Sequence, residues 1–245
     1  MLGVAAAEVV GVGMVRWFGP QSVSDLVVMG HPQVVVGSVV PKDSEGFLST
    51  KVSAWALGSG VSSNDELQVD NVNAVISNAV TAVVDAGALE VIDFSNAQQS
   101  DLLLTPHTGE ASRLWQRLGL AGNPDFESQE GLQHVASTLA KATGQTVLLK
   151  GSVTVIATEV GQLVAVGPNS PHLAAAGTGD VLAGMLAGIA AQNAGSRWPG
   201  GLTVAQLAVT MHSRAAQLAA AKGAVTASKV LAALPEVYLE VVHSD

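Results

Sequence analysis

Ala176-Gly177-Thr178-Gly179-Asp180 runs directly into the apolar stretch Val181-Leu182-Ala183-Gly184-Met185-Leu186-Ala187-Gly188-Ile189. The glycines let the backbone turn and leave its N–H groups uncovered, and the run behind them reads as a helix, so those groups sit at a helix N-terminus. Such an end binds anions. Asp180 is out of place beside it, because a carboxylate next to a bound phosphate is repelled unless a cation intervenes or the carboxylate has chemistry to do. Two readings stand together here: a catalytic base at an anion site, or an acidic cap on a buried helix whose glycines only permit close packing.

Working outward, the 245-residue chain is 48% hydrophobic, enough to bury a large core in one α/β domain or two small ones, and one domain is expected. Its net charge of −9, with only 11 Lys and Arg, argues against a nucleic-acid backbone binder. Having no cysteine, it has neither disulfides, thiolate zinc sites nor a Cys nucleophile. Residues 1–15 are apolar enough to imitate an export signal, but they lack a basic n-region and place Glu8 in the middle, so export is rejected. Residues 173–191 contain Asp180 and several glycines, a poor membrane span and a good buried helix. A soluble, cytoplasmic protein without membrane partners is expected. With one Tyr and four Phe, its core must be built from Ala, Val and Leu, which suits helices packed closely on a parallel sheet.

Short aliphatic runs at residues 14–18, 33–36, 54–57, 82–85, 102–104 and 147–150 read as strands, and residues 22–29, 65–78, 109–118 and 126–143 as helices between them. This alternation predicts βαβ crossovers and a sheet covered on both faces. Residues 154–158 and 163–166, separated by Glu159-Val160-Gly161-Gln162, predict a hairpin added to that sheet. Helices are expected at 181–192, 204–221 and 228–241, while 38–52, with Pro41, Asp43 and Gly46, reads as a loop.

Several polar or glycine-rich segments follow strand-like runs: Gly58-Ser59-Gly60, Asp85-Ala86-Gly87, Thr105-Pro106-His107-Thr108-Gly109-Glu110 and Lys150-Gly151. In a parallel sheet all carboxyl ends lie on one edge, where α/β proteins bind ligands, so these segments should converge beside the Gly-Thr-Gly-Asp turn. Neither a P-loop nor a complete dinucleotide fingerprint is present. His107 either donates to a ligand or is a solvated loop histidine ahead of a helix that Glu110 favours through the dipole. Lys150 either reaches phosphate oxygens or lies on the surface of a hairpin, and Asp85 reads best as ordering a loop. His212, in an Ala- and Leu-rich helix, reads as a satisfied core or interface histidine; His31, His134 and His243 form no constellation. No cluster has metal-ligand spacing, so the protein's own metal ligands are unassigned, and a metal is expected to arrive as Mg²⁺ on nucleotide phosphates.

In this order, Val84-Asp85-Ala86-Gly87-Ala88-Leu89, Leu104-Thr105-Pro106-His107-Thr108-Gly109-Glu110, Leu149-Lys150-Gly151-Ser152-Val153-Thr154 and Gly177-Thr178-Gly179-Asp180-Val181-Leu182-Ala183-Gly184 resemble the ADP- or ATP-dependent NAD(P)H-hydrate dehydratases. The resemblance implies a ribokinase-like three-layer αβα sandwich, with a mostly parallel central sheet and an added antiparallel hairpin, over residues 1–245. It also implies a metabolite-repair lyase in which ADP or ATP phosphorylates the ring hydroxyl of hydrated NADH or NADPH and the phosphate is then eliminated. By the same resemblance Asp180 is the base that deprotonates the hydroxyl, and Gly177, Thr178 and Gly179 form the anion hole. Gly60, His107 and Asp180 contact the hydrated dinucleotide, while Lys150, Gly151, Ser152, Val153, Thr154 and Gly179 line the adenine-nucleotide pocket. A homotetramer is implied by the same analogy.

The chain also departs from the family pattern. A Gly-Gly-x-x-Gly-Ala segment is missing ahead of Gly11, the Gly-Pro-Gly-Leu-Gly loop reads Gly58-Ser59-Gly60-Val61-Ser62, and Ala176 stands where glycine is common. A shortened N-terminus is therefore expected, without the epimerase domain fused in some relatives. Two rival functions remain: a hydroxyethylthiazole or vitamin kinase, which shares the Gly-Thr-Gly-Asp logic but releases a stable phosphate ester, and a catalytically impaired nucleotide-binding relative, suggested by the missing N-terminal segment and opposed by the retained Asp180.

Overall fold

Leu102, Leu103 and Leu104 are all fully buried, the outer two in one core cluster and the middle one in another, so the strand they form is covered on both faces. The computed structural model describes residues 1–78, 80–193 and 202–242. Its elements are α1 (Leu2–Val9), β1 (Arg16–Phe18), α2 (Gln21–Gly30), β2 (Val35–Gly37), α3 (Ser44–Ser49), β3 (Trp55–Leu57), α4 (Glu66–Ile76), β4 (Thr81–Val84), α5 (Ala88–Val91), β5 (Asp101–Leu104), α6 (Thr108–Arg117), α7 (Gln129–Thr143), β6 (Thr146–Leu149), β7 (Thr154–Ala157), β8 (Leu163–Val166), a 3₁₀ turn (Pro171–Ala174), α8 (Thr178–Gln192), α9 (Leu202–Ala221) and α10 (Ala227–Val242). His243 lies outside the described residues.

The main sheet has the order β3-β4-β5-β6-β7-β8; the first four strands are parallel, and β7 and β8 continue antiparallel as the expected hairpin. Alternate residues feed two cores. Val84, Leu104, Leu149 and Val155 join the face packed with residues of α4 to α7, and Val83, Leu103, Leu148 and Ile156 meet Leu182 and Leu186 of α8 and Ala208 of α9. A third cluster lies between α8, α9, α10 and Val10, just past α1. Among the described residues no helix is long and apolar enough to cross a membrane.

Two expectations are corrected. The runs near residues 16 and 35 do form parallel strands, but they pair only with each other in a separate two-stranded sheet. Arg16, Val35 and Val36 are exposed, so β1 and β2 lack the burial on both faces that a central strand needs. The segment read as a loop contains α3, whose N-cap Asp43 accepts from the Gly46 N–H at 2.7 Å and whose Phe47 stacks on Trp55. Six residues are too few to display helical periodicity, and its cap residues resemble loop residues.

α1 lies against α8 through glycines. A methyl group added at Gly184 would run into the Gly3 carbonyl oxygen, and one at Gly188 would meet Val10 and Ala7. Alanine ordinarily favours a helix interior over glycine by about 1 kcal/mol. At 184 the sign is expected to reverse, with Gly184→Ala destabilising the protein in urea by about 1–3 kcal/mol as α1 is pushed away; a variant as stable as the parent would contradict this packing.

His212, on α9, is buried as expected but only half satisfied: it has a hydrogen bond with the Thr178 backbone, while among the described residues its Nε2 has no partner. Burial drives its pKa down to about 4, with the nearby Lys150 charge adding to the fall and the Thr178 backbone opposing it. The unfolded imidazole titrates near 6.5, so between that pH and about 4 the unfolded chain holds the extra proton and stability falls as the solution is acidified. The group is expected to account for a loss on the order of 3 kcal/mol across that window. Urea midpoints at pH 7 and pH 4.5 should converge more closely in His212→Asn than in the parent; equal pH slopes would contradict it.

Candidate functional site

The first turn of α8 is assembled from its own sequence. Gly177, its N-cap, has φ +85°, and a side chain there would crowd Leu2 and Ala227. The Thr178 hydroxyl is shared between the carbonyls of Leu173 and Ala175 at 2.7 and 2.9 Å, which pins the turn and takes the Thr178 side chain away from the anion end. Among the described residues no side chain caps α8; the Thr178 N–H donates to the Ala175 carbonyl at 3.3 Å, and the N–H groups of Gly179 and Asp180 are left at the helix end. Asp180 stands in that turn, half-buried, where the helix dipole favours its carboxylate.

Three strand ends meet this turn. Asp85 follows β4, and its Oδ1 accepts from Lys150 Nζ at 2.6 Å; Lys150 follows β6, with its backbone N–H donating to the Pro106 carbonyl at 2.8 Å. Glu110 lies on the opening turn of α6, its Oε2 3.8 Å from Lys150 Nζ. The pair is largely shielded, with the side chains 18% and 7% exposed for Lys150 and Asp85. An ammonium has three donors, and Asp85 takes one, so the others remain available at the strand ends. A Cβ on Gly179 would sit 3.5 Å from Lys150 Nζ and 3.7 Å from Asp85 Oδ2, which places the anion end of α8 directly over this pair.

His107 is the N-cap of α6. Its Nδ1 accepts from the Gly109 N–H at 3.0 Å while Glu110 Oε2 accepts from the His107 N–H at 2.8 Å, a reciprocal capping box. With Nδ1 accepting, the neutral ring carries its proton on Nε2, and the side chain is 54% exposed. Gly151 and Ser152 are exposed in the β6–β7 turn, Val153 is partly covered, and Thr154 is buried at the start of β7. This turn is clamped by Asn169, which donates to the Gly151 carbonyl and to Thr154 Oγ1 at 3.0 and 2.9 Å, and whose N–H donates to the Ser152 carbonyl at 2.7 Å. Asn169 escaped the sequence reading, although Gly167-Pro168-Asn169 is another turn segment behind a strand.

A cavity of about 710 Å³ opens beside α8, and its lining includes Gly60, Asp85, Asp180 and the Gly184 and Gly188 surface. Gly60 has φ +79° and open space around its Cα. His107, Lys150, Gly151, Ser152, Val153, Thr154, Gly177, Thr178 and Gly179 lie outside that lining. The site therefore has two halves, a cavity reached by Asp180 and Asp85 and a strand-end shelf bearing Lys150 and the β6–β7 turn, joined by the Lys150–Asp85 pair. Among the described residues no three His, Asp or Glu side chains converge as a metal site.

Known proteins share this fold. Ribokinase of Arabidopsis thaliana has the same fold, with a TM-score of 0.59 at 15% identity over 95% of this chain and 85% of that one. The Bacillus subtilis ADP/ATP-dependent NAD(P)H-hydrate dehydratase co-crystallized with ATP/Mg²⁺ and soaked with CoA superposes with a TM-score of 0.73 at 24% identity, over 98% of this chain and 85% of that one. The bifunctional NAD(P)H-hydrate repair enzyme Nnr of Moorella thermoacetica is 33% identical over 207 residues, covering 78% of this chain; the match spans 38% of that protein's length. Residues 1–236 match the sequence profile described as NAD(P)H-hydrate dehydratase, and the chain belongs to that family, on a ribokinase-like fold.

Proposed function

We propose that the chain, read as one ribokinase-like domain over residues 1–245, repairs hydrated NADH or NADPH by nucleotide-dependent dehydration. The observation that carries the reading is Asp180 standing in the uncapped first turn of α8, at the boundary between the cavity and the Lys150 shelf. The cavity takes the hydrated dinucleotide, with Gly60 and Asp180 in its wall and His107 at the adjoining strand end. The shelf of Lys150, Gly151, Ser152, Val153 and Thr154 takes ADP or ATP. Mg²⁺ enters as the counter-ion of the nucleotide phosphates, and we assign it no protein ligand.

Asp180 then accepts the proton of the ring hydroxyl, and that oxygen forms a bond to the terminal phosphorus while the bond to the leaving AMP or ADP breaks. The N–H groups of Gly179 and Asp180 and the Lys150 ammonium stabilise the charge that develops on the phosphoryl oxygens. The resulting phosphate ester breaks at carbon, phosphate leaving with the bonding electrons, and loss of a proton from the adjacent ring carbon restores the dihydronicotinamide. Overall, hydrate plus ADP gives NAD(P)H, AMP and phosphate, or ADP and phosphate when ATP is the donor. We place the enzyme in the cytoplasm as a homo-oligomer, a tetramer by analogy, acting on small molecules and not on nucleic acid or membranes.

The test mixes the protein with hydrated NADH, Mg²⁺ and either ADP or ATP and follows absorbance at 340 nm. Recovery is expected with one or both nucleotides, and Asp180→Asn is expected to lower kcat by about 100- to 10,000-fold, the range for a lost general base. Absence of recovery with both nucleotides contradicts the reading; a stable phosphorylated thiazole or vitamin would point to the kinase instead.

A further inference from the structure

The cavity beside α8 carries four charged side chains, and they sort by origin. Asp85 and Asp180 come from the reacting edge described above. Arg16 comes from β1, and Lys51 follows α3. Both cationic side chains belong to exposed residues and, among the described residues, neither forms a side-chain hydrogen bond or ion pair, whereas Lys42, Arg113, Lys150, Arg214 and Lys222 each have an acidic partner. Two cations left unpaired in the wall of one cavity, in a chain of net charge −9, are an unspent anion site.

Lys51 stands out further by its backbone. It follows the C-cap Thr50 of α3 and has φ +52°, the left-handed position that ends many helices and is usually given to glycine. A lysine held there points to a use for its side chain. Around the cations the wall is apolar and aromatic, with Trp17 and with Trp55, which is packed between Phe18 and Phe47. That wall suits the body of a nucleotide, but it offers its phosphates few other charged partners, and two carboxylates elsewhere in the cavity repel them.

We propose that Arg16 and Lys51 form the phosphate-reading corner of the cavity, gripping a phosphate of the dinucleotide whose ring end reaches Asp180. The proposal rests on the functional reading above. Phosphate is the shared chemistry of two sources, the diphosphate bridge present in both cofactors and the 2′-phosphate present only in the phosphorylated one.

Binding of NADH and NADPH to the full chain is measured by energy transfer from tryptophan to the dihydronicotinamide, since Trp17 and Trp55 line the same cavity. In the double variant Arg16→Gln/Lys51→Met, affinity is expected to fall about tenfold or more, as for lost charge-assisted contacts, and Arg16→Lys/Lys51→Arg to recover most of it. An equal loss for NADH and NADPH assigns the corner to the diphosphate, and a loss confined to NADPH assigns it to the 2′-phosphate. Affinities within twofold of the parent for both nucleotides, or a parent that binds neither, overturn the proposal. A parent that binds both through Arg16 and Lys51, yet never regenerates NADH from its hydrate, overturns the dehydratase reading and leaves the phosphate corner standing.

Discussion

The contact between Lys150 and Asp85 is the constraint around which the site is arranged. At 2.6 Å it ties the carboxyl end of β6 to that of β4, across the intervening β5, and it does so beneath Gly179 in the first turn of α8. A largely shielded pair of this kind is expensive to desolvate and is not itself strong evidence of stability. Its value here is positional: it fixes a cation where a helix N-terminus already presents uncovered N–H groups, so that two sources of positive potential address one point. Glu110, held by the capping box of α6, faces the same ammonium from the third strand end and limits where it can move.

α8 reaches that point because small residues let other elements come close. Gly184 and Gly188 admit α1 on one side, while Leu182 and Leu186 bury against Val83, Leu103 and Leu148 of the sheet on another. The direction of the helix, and with it the direction of its dipole, is set by this packing. Asp180, the base we propose, is then carried on a rigid element instead of a loop, which is what a positioned general base requires. His212, buried near the Thr178 backbone, is kept neutral by the same dense packing.

Much of this was legible in the residues. Strands with apolar side chains at every position, such as Leu102 to Leu104, announce burial on both faces, and the turn segments behind them fall on one edge because a parallel sheet leaves them no other place. The Gly177-Thr178-Gly179-Asp180 turn announced a helix start through its glycines and the apolar run behind it. What escaped was whatever depends on distance in space. The capping role of His107, the pairing of Lys150 with Asp85, the Asn169 clamp and the contact of His212 with the Thr178 backbone each join residues whose sequence spacing or type also fits an ordinary turn or core. α3 escaped because six residues carry no periodicity, and the separation of β1 and β2 from the main sheet escaped because three-residue strands do not state their partners. Arg16 and Lys51 look like surface cations until the cavity is seen to run between them.

The central claim is that oxygen on the substrate ring, not water, receives the phosphoryl group at the Asp180 turn. Hydrated NADH carrying ¹⁸O in its ring hydroxyl separates these outcomes in one turnover, since elimination of a phosphate ester transfers that oxygen to the released phosphate. Inorganic phosphate bearing the ring's ¹⁸O, formed in step with NADH, is the result predicted; unlabelled phosphate accompanying NADH would contradict it.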